Sequence, residues 1–144
     1  MKGKTLICMV GLPRAGKSTH VKQLRDMGIP IVNGDSIRLA MHGERYIKLA
    51  ETMIHAISEI MVRALFIAGH DRVCVDETCT RRAHRDKWRC ENWKTVFWHI
   101  NTPKEVCLER AAKTNDSYIV PVIERMANQF DSLEDDEPRF TLEP

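Results

Sequence analysis

The sequence has few aromatic residues, little net charge and no long hydrophobic run. Aromatic residues make up 6% of the 144 positions, and the formal net charge is +2. So small a charge predicts no general attraction to nucleic acid, and any such binding would need a local basic patch. The longest apolar stretches are far shorter than the roughly 20 residues that a membrane-spanning helix needs, so we expect no membrane partner.

The cysteines follow neither a disulfide nor a metal-binding pattern. They number five, contain no C-x-x-C pair, and lie at Cys8, Cys74, Cys79, Cys90 and Cys107. The six histidines show no H-x-x-x-H pair, so no zinc site is predicted. A charged start followed by a short apolar run predicts no signal peptide. Together these features favour a reduced cytoplasmic protein over a disulfide-stabilised one.

What the sequence does contain is an alternation of short apolar runs and helical patterns. A composition of 43% hydrophobic and 29% charged residues is ordinary for a globular protein, and the length fits one domain over residues 1–144. The predicted strands are residues 5–10, 29–33, 73–75 and 95–100. The predicted helices are residues 17–27, 44–68, 80–92, a helix opened by residues 102–103, and 121–130. This order predicts an α/β fold whose parallel sheet places ligands at the carboxyl ends of its strands.

The last residues, 131–144, form an acidic tail with flanking prolines. Arg125 and the run 134–137 within this tail region could help to close a ligand site, or they could be solvated charges. A run of like charges is more often solvated, so the second interpretation is favoured.

A phosphate-binding motif directly follows the first predicted strand and opens a helix. The candidate nucleotide-binding residues are Gly11, Leu12, Pro13, Arg14, Ala15, Gly16, Lys17, Ser18 and Thr19. Residues 11–18 match G-x-x-x-x-G-K-[ST] in the strand–helix context that the motif requires. Its glycines let backbone N–H groups surround a phosphate, Lys17 places a charge near the β- and γ-phosphates, and Ser18 can ligate Mg²⁺. The alternatives are a turn with incidental glycines and, for Arg14, a solvent-facing side chain.

Two further candidate sites follow the second and third strands. Asp35 is placed to accept a proton from an attacking hydroxyl, and Arg38, three residues on, could hold an anion on the acceptor. Alternatively, Asp35 caps a helix and Arg38 is a surface charge. Asp76 continues the third strand and can hold Mg²⁺ or its water shell, unless it is only a solvent-exposed strand end. Glu77 would point to the other face if the strand extended that far.

Basic residues after the third and fourth strands form two further candidate sites. Arg81, Arg85 and Arg89 share one helical face, which could contact a phosphate backbone; a solvated face is the favoured interpretation. Arg110 and Lys113 lie near the end of the next helix. They could close over phosphates as a lid, or they could be the cations that commonly occupy a helix C-terminus.

Together these motifs resemble the P-loop kinase domain of the phage-type 5′-polynucleotide kinases and their wider relatives, the small AAA-labelled P-loop kinases and zeta-toxin-like kinases. Residues 11–18, 33–38 and 75–78 and Arg110 carry the resemblance, which covers roughly residues 4–130. It implies a central parallel sheet of about four to five strands, helices on both faces and a helical lid.

The resemblance also implies cofactors and roles. It implies ATP and Mg²⁺, with Lys17 at the phosphates, Ser18 and Asp76 at the metal, and a 5′-hydroxyl DNA or RNA acceptor. Asp35 would be the general base, Arg38 would contact the acceptor's phosphate, and Arg110 would be the lid arginine. The sequence departs from the family pattern in three places: Gly34 stands where arginine is usual, Lys113 stands near the place of a second lid arginine, and Cys79 ends the D-x-T-N element.

Three functions therefore follow from the sequence. The first is an ATP-dependent kinase of polynucleotide 5′-hydroxyls. The second is a kinase of the same fold whose acceptor is a small molecule such as a nucleoside, a nucleotide sugar or an antibiotic. The third is a nucleotide-binding switch that acts through a partner, which would need a segment that senses the γ-phosphate. The sequence does not indicate an oligomeric state.

Overall fold

A four-stranded parallel sheet lies at the centre of the computed structural model, which describes residues 3–142. Its strands are β1 (Thr5–Val10), β2 (Ile31–Asn33), β3 (Arg72–Asp76) and β4 (Lys94–His99). They lie side by side in the order β2-β3-β1-β4, and every neighbouring pair is parallel. The predicted α/β fold is therefore confirmed. Residues 1, 2, 143 and 144 of the predicted domain and tail lie outside the described residues.

Helices cover both faces of this sheet, because successive side chains of β1 point to opposite sides. The helices are α1 (Lys17–Asp26), α2 (Gly34–His42), α3 (Glu51–Ile67), α4 (Arg82–Asp86), α5 (Lys104–Lys113) and α6 (Ile119–Asn128). Leu6 and Cys8 pack on one side with Phe66 of α3, whereas Ile7 packs on the other side with Leu24 of α1 and Ile123 of α6. No helix of the described residues is long and apolar enough to cross a membrane.

Two predicted helices are too long. The helix predicted from residue 44 begins at Glu51, after an extended residue Ile47 and a short 3-10 turn, Lys48–Ala50. The helix predicted over 80–92 ends at Asp86. There the carbonyl of Trp88 accepts hydrogen bonds from two side chains of the β4 region instead of continuing the helix. Tertiary contacts override the local pattern in this segment.

The tail packs against the edge strand β4 and is not a solvated segment. The backbone N–H of Phe97 donates to Pro138 at 2.8 Å, and the N–H of Phe140 donates to Phe97 at 2.8 Å. These bonds add one short parallel bridge, Phe97 with Arg139, to the outer edge of the sheet. The pairing occupies backbone groups that an open edge strand would expose.

Basic residues in and beside α4 bind this tail, and the predicted solvated face is wrong at Arg85, whereas Arg81 stays 54% exposed. Arg85 is fully buried, and its Nε donates to Glu137 at 2.6 Å. Arg81 pairs with Asp131, and Arg89 donates to the carbonyl of Asp136. Glu137 is 1% exposed, so the favoured solvated interpretation of the acidic run is wrong at that position as well. These charges join the tail to α4.

Candidate active site

The loop between β1 and α1 has the backbone of a phosphate cradle. Gly16 has a φ of 97° and Arg14 a φ of 68°, so the chain passes twice through the left-handed region. At Gly11 a Cβ would lie 3.0 Å from the carbonyl oxygen of Ile100, so the loop packs too closely for a side chain there. The N-terminus of α1 has no side-chain cap and no acidic residue in its first turn. Its N–H groups and the positive end of its dipole are therefore suited to an anion.

Lys17 folds back over this loop. Its Nζ donates hydrogen bonds to the carbonyl oxygens of Gly11 at 2.9 Å and of Leu12 at 2.7 Å. Burial lowers the pKa of Lys17, and the nearby Asp76 carboxylate works in the opposite direction. The ammonium group thus lies at the mouth of the loop, within the same cavity as Asp76.

Asn33 organises the carboxylates that follow β2 and β3. Its Oδ1 accepts a hydrogen bond from the N–H of Ser36 at 2.8 Å, so Asn33 caps α2. Its Nδ2 donates to Asp76 at 2.8 Å. Burial raises the pKa of Asp76, against the opposing effects of Lys17 and Asn33. The alternative in which Asp35 caps the helix is therefore wrong; the Asp35 side chain is 86% exposed and lines the cavity.

Arg38 makes three charge-assisted hydrogen bonds, two of which sequence reasoning missed. Its Nη1 donates to Asp35 at 2.9 Å, as their shared helical face predicts. Its Nε and Nη2 donate to the two carboxylate oxygens of Glu51 at 2.9 and 2.8 Å. The bonds with Glu51 raise the pKa of Arg38. Glu51 lies within the helix predicted over residues 44–68, and no sequence spacing links it to Arg38.

Glu77 and His84 form an ion pair, and both residues line the same cavity as Asp76. The strand ends at Asp76, so the condition under which Glu77 would point to the other face of the sheet is not met. The Glu77 side chain is 6% exposed and lines the cavity. Its Oε2 lies 3.0 Å from Nε2 of His84. A Cβ at position 34 would lie 2.9 Å from Oε1 of Glu77 and 3.2 Å from Nη1 of Arg38. Glycine at position 34 therefore makes room for this carboxylate.

The ion pair predicts a pH dependence of stability. Burial alone would lower the pKa of His84, but Glu77 raises it to about 9 from an ordinary value of 6.5. The stabilisation from His84 is therefore complete below pH 6.5 and is lost as the pH rises through about 9. We expect the free energy of unfolding to fall more steeply over this interval in the wild type than in His84→Gln. Urea unfolding at a series of pH values measures this free energy. His70→Gln, a substitution at an exposed histidine, is the control. Parallel pH dependences of the free energy for wild type and His84→Gln would contradict the prediction.

The segment joining α5 and α6 packs over the phosphate loop. Nη1 of Arg110 donates to the carbonyl of Arg14 at 3.0 Å. Asp116 pairs with Arg14 at 2.8 Å and with Arg45 at 3.0 Å, and these arginines lower the pKa of Asp116. The guanidinium of Arg45 also lies 4.4 Å from the ring centroid of Tyr118. Arg14 thus faces a carboxylate rather than open solvent.

One cavity of about 710 Å³ brings most of the predicted residues together. Those that line it are Pro13, Arg14, Gly16, Lys17, Ser18, Asp35, Arg38 and Asp76. Gly11, Leu12 and Ala15 are the buried residues of the loop itself. Thr19 is exposed on α1 and is not among the lining residues, and Arg110 lines a neighbouring cavity of about 360 Å³. Lining residues that sequence reasoning did not single out include Arg45, Tyr46, Tyr118 and Gln129, which only tertiary packing brings here.

Comparisons with known proteins agree with this architecture. The sequence model of a family described as AAA domain matches residues 6–133. No curated protein sequence gives a significant match. A sugar kinase from Janibacter sp. HTCC2649 has a similar structure, with 21% identity, a TM-score of 0.69, and coverage of 96% of this chain and 84% of that one. A gluconokinase from Sinorhizobium meliloti 1021 gives 18% identity, a TM-score of 0.64, and coverage of 92% and 78%.

A third similar structure belongs to the Pnkp1/Rnl/Hen1 RNA repair complex. It has 20% identity and a TM-score of 0.65, and the match covers 89% of this chain. The chain spans 46% of that protein's length, less than half of it. At these identities the three likenesses show a shared fold and nothing further.

Proposed function

The chain belongs to the AAA domain family, and on that basis we propose that it is a P-loop kinase that transfers the γ-phosphate of ATP to a hydroxyl group. The observation that carries this proposal is the arrangement of the 710 Å³ cavity. Lys17, residues at the uncapped N-terminus of α1 and the exposed carboxylate of Asp35 all line it. A phosphate donor and a hydroxyl acceptor can thus share one cavity.

The nucleotide end fits an ATP–Mg²⁺ complex. The left-handed glycine at position 16, the free N–H groups of α1 and the Lys17 ammonium are donors suited to phosphate oxygens. Ser18 and Asp76 offer the hydroxyl and carboxylate oxygens that Mg²⁺ prefers. When bound, the metal would neutralise charge that develops on the transferring phosphoryl group. Arg110, held against the loop by the Arg14 carbonyl, would add a positive charge beside the same group.

At the acceptor end we propose Asp35 as the general base. Its carboxylate is exposed to the cavity, and its hydrogen bond from Arg38 orients it. A carboxylate that accepts the proton of the attacking hydroxyl as the new bond forms lowers the barrier to transfer. Arg38 is in turn fixed by Glu51, so the pair Arg38–Glu51 positions the base.

The first acceptor we propose is the 5′-hydroxyl of DNA or RNA. The N-x-D-x-x-R element that residues 33–38 share with polynucleotide kinases supports it. The likeness to a chain of an RNA repair complex is consistent with it at the level of the fold. With this acceptor, Arg38 would contact the phosphate that follows the 5′ nucleoside.

A second candidate is an uncharged, hydroxyl-rich small molecule. Arg38 already donates hydrogen bonds to both carboxylate oxygens of Glu51. The buried carboxylate of Glu77 lines the same cavity. A guanidinium that is paired in this way offers less to an acceptor phosphate, whereas carboxylates are good acceptors for the hydroxyls of a sugar. The arrangement therefore favours a sugar-like acceptor for this candidate.

Transfer of labelled γ-phosphate from ATP would test both candidates. One reaction series would contain a short 5′-hydroxyl oligonucleotide as DNA or RNA, and the other a panel of sugars and nucleosides. Label on the oligonucleotide supports the first acceptor, and label confined to the panel supports the second. ATP binding without transfer to any acceptor would contradict the kinase and favour a nucleotide-binding switch.

Asp35→Asn tests the assignment of the base. The amide keeps the shape of the side chain but cannot take the proton, so we expect kcat to fall by about 10²–10⁴-fold with ATP binding unchanged. The measurement is the rate of label transfer at saturating ATP, together with the Kd for ATP. Ser36→Ala, next to the base, is the control. Near-wild-type transfer by Asp35→Asn would show that another group accepts the proton.

A further inference from the structure

Three side chains that can each bind a metal ion converge just after the end of β3. They are Glu77, Cys79 and His84, and one ligand atom of each lies within 4.8 Å of those of the other two. The ligands of one zinc ion, at bond lengths of roughly 2.0–2.3 Å, lie about 3–4 Å apart, so small side-chain rotations bring all three onto one ion. Their E-x-C-x-x-x-x-H spacing is not a usual zinc pattern, and the turn between β3 and α4 is what brings them together.

The contact between Glu77 and His84 is close without being an aligned hydrogen bond. Oε2 of Glu77 lies 3.0 Å from Nε2 of His84, and the Glu77 side chain is 6% exposed. Among residues 3–142, however, this buried oxygen has no hydrogen-bond partner. A ring nitrogen and a carboxylate oxygen that lie side by side in this way can both point at a third atom. Two ligands of one metal ion have that geometry.

The sulfur of Cys79 is held in place by its neighbours. Cys79 is fully buried, and its backbone carbonyl accepts a hydrogen bond from Arg85 at 3.1 Å. Sγ of Cys8 donates a hydrogen bond to Sγ of Cys79 at 3.4 Å. Hydrogen bonds of this kind orient the ligands of metal sites and stabilise them. The third ligand is therefore positioned before any metal enters.

From this arrangement we propose that Glu77, Cys79 and His84 bind a zinc ion. Sulfur and imidazole ligands suit zinc, whereas Mg²⁺ prefers oxygen ligands. Cys79 binds as the thiolate and His84 as the neutral imidazole, so their protons pass to solvent as the metal enters. Glu77 and His84 line the cavity, from which a water molecule can complete a tetrahedral shell. The site shares no ligand with Ser18 and Asp76, and the proposal does not depend on the kinase activity.

Zinc titration of the full chain, freed of metal by a chelator, tests the site directly. A Cys90→Ser background removes the exposed native thiol. We expect one equivalent of Zn²⁺ to bind. Cys79→Ser and His84→Gln should each raise the Kd by about 100-fold or more, because the loss of even a hydrogen-bond partner of a ligand costs roughly 10–100-fold. Cys107→Ser, at a buried thiol outside the site, and His70→Gln, at an exposed histidine, are the matched controls and should leave the Kd unchanged.

The melting temperature of each metal-free variant shows whether that variant is folded. A folded Cys79→Ser that binds zinc as tightly as the Cys90→Ser parent would overturn the proposal. A parent protein that binds no zinc at micromolar metal would overturn it as well.

Two further measurements identify the ligands. Co²⁺ bound in place of zinc should show a thiolate-to-cobalt charge-transfer band that Cys79→Ser abolishes. Millimolar Mg²⁺ should not displace the zinc ion, because Mg²⁺ prefers oxygen ligands such as those of Ser18 and Asp76. A cobalt spectrum without the thiolate band, or displacement of zinc by Mg²⁺, would place the metal at oxygen ligands and would overturn the proposed site.

Discussion

Lys17→Ala is expected to lower the rate of phosphoryl transfer from ATP by about 10²–10³-fold. The cause is electrostatic, because the ammonium is a full positive charge in a site shielded from water, where one lost donor to a developing charge costs about 10²–10³-fold. The same substitution removes the two bonds to the carbonyl oxygens of Gly11 and Leu12. Some loosening of the phosphate loop is therefore expected alongside the loss of charge.

Two measurements separate these effects. The rate of label transfer at saturating ATP measures the effect of losing the positive charge. The melting temperature measures how far the phosphate loop is loosened. Lys22→Ala is the matched control, since Lys22 is an exposed lysine one turn further along the same helix. Transfer by Lys17→Ala at the rate of Lys22→Ala would mean that the phosphates bind elsewhere, and the proposed nucleotide site would fail.

The second large effect is expected for the buried ion pair of Arg85 and Glu137. Both side chains are fully inaccessible, and Arg85 also donates to the carbonyls of Cys79 and Thr80. Arg85→Met leaves the buried Glu137 carboxylate with only Arg82 at 3.4 Å and the N–H of Glu134 at 3.0 Å, so we expect a loss of about 3 kcal/mol in the free energy of unfolding, the lower end for a broken buried pair. Because Arg85 holds the carbonyls that follow β3, the loss should loosen the cavity wall as well as the tail.

Urea denaturation of the wild type, the two single variants and the double variant measures the energetic coupling between Arg85 and Glu137. Arg85→Met and Glu137→Met should each be strongly destabilised, and the double variant should recover much of the loss because no charge is left unpaired. Arg81→Ala, which breaks the exposed pair with Asp131, is the control and should change little. Additive losses in the double variant would show that the two residues act independently. Recovery would support our proposal that the tail and the sheet with its helices are one domain.

The sequence alone predicted the elements whose cause is local. The phosphate loop lies between β1 and α1, because the glycine spacing, Lys17 and the preceding apolar strand are neighbours in the chain. The shared face of Asp35 and Arg38 follows from a three-residue spacing on a helix. Parallel strands likewise bring Asp76 to the same edge as Lys17 without any knowledge of the packing.

Some predictions failed where the partner was distant in sequence. Arg85 matched a solvated pattern, yet its partner Glu137 lies 52 positions away and takes it into the core. The helix predicted from residue 44 was too long, because nothing local reports that Arg45 pairs with Asp116, 71 positions away. Periodicity shows which side of a helix or strand is apolar, but it does not show which distant charged residue will form an ion pair with that element.

What the sequence determined by itself is the fold class and the phosphate loop, because the succession of strands and helices, the helix period and the loop chemistry are set by neighbouring residues. What only the tertiary structure decided is the part of the cavity around Arg38, where we propose that the acceptor binds. Glu51 neutralises Arg38, Gly34 makes room for Glu77, and Asp116 holds the segment between α5 and α6 against the phosphate loop. Each of these contacts joins residues from separate elements, and their energies exist only once the chain has brought opposite charges together and removed them from water.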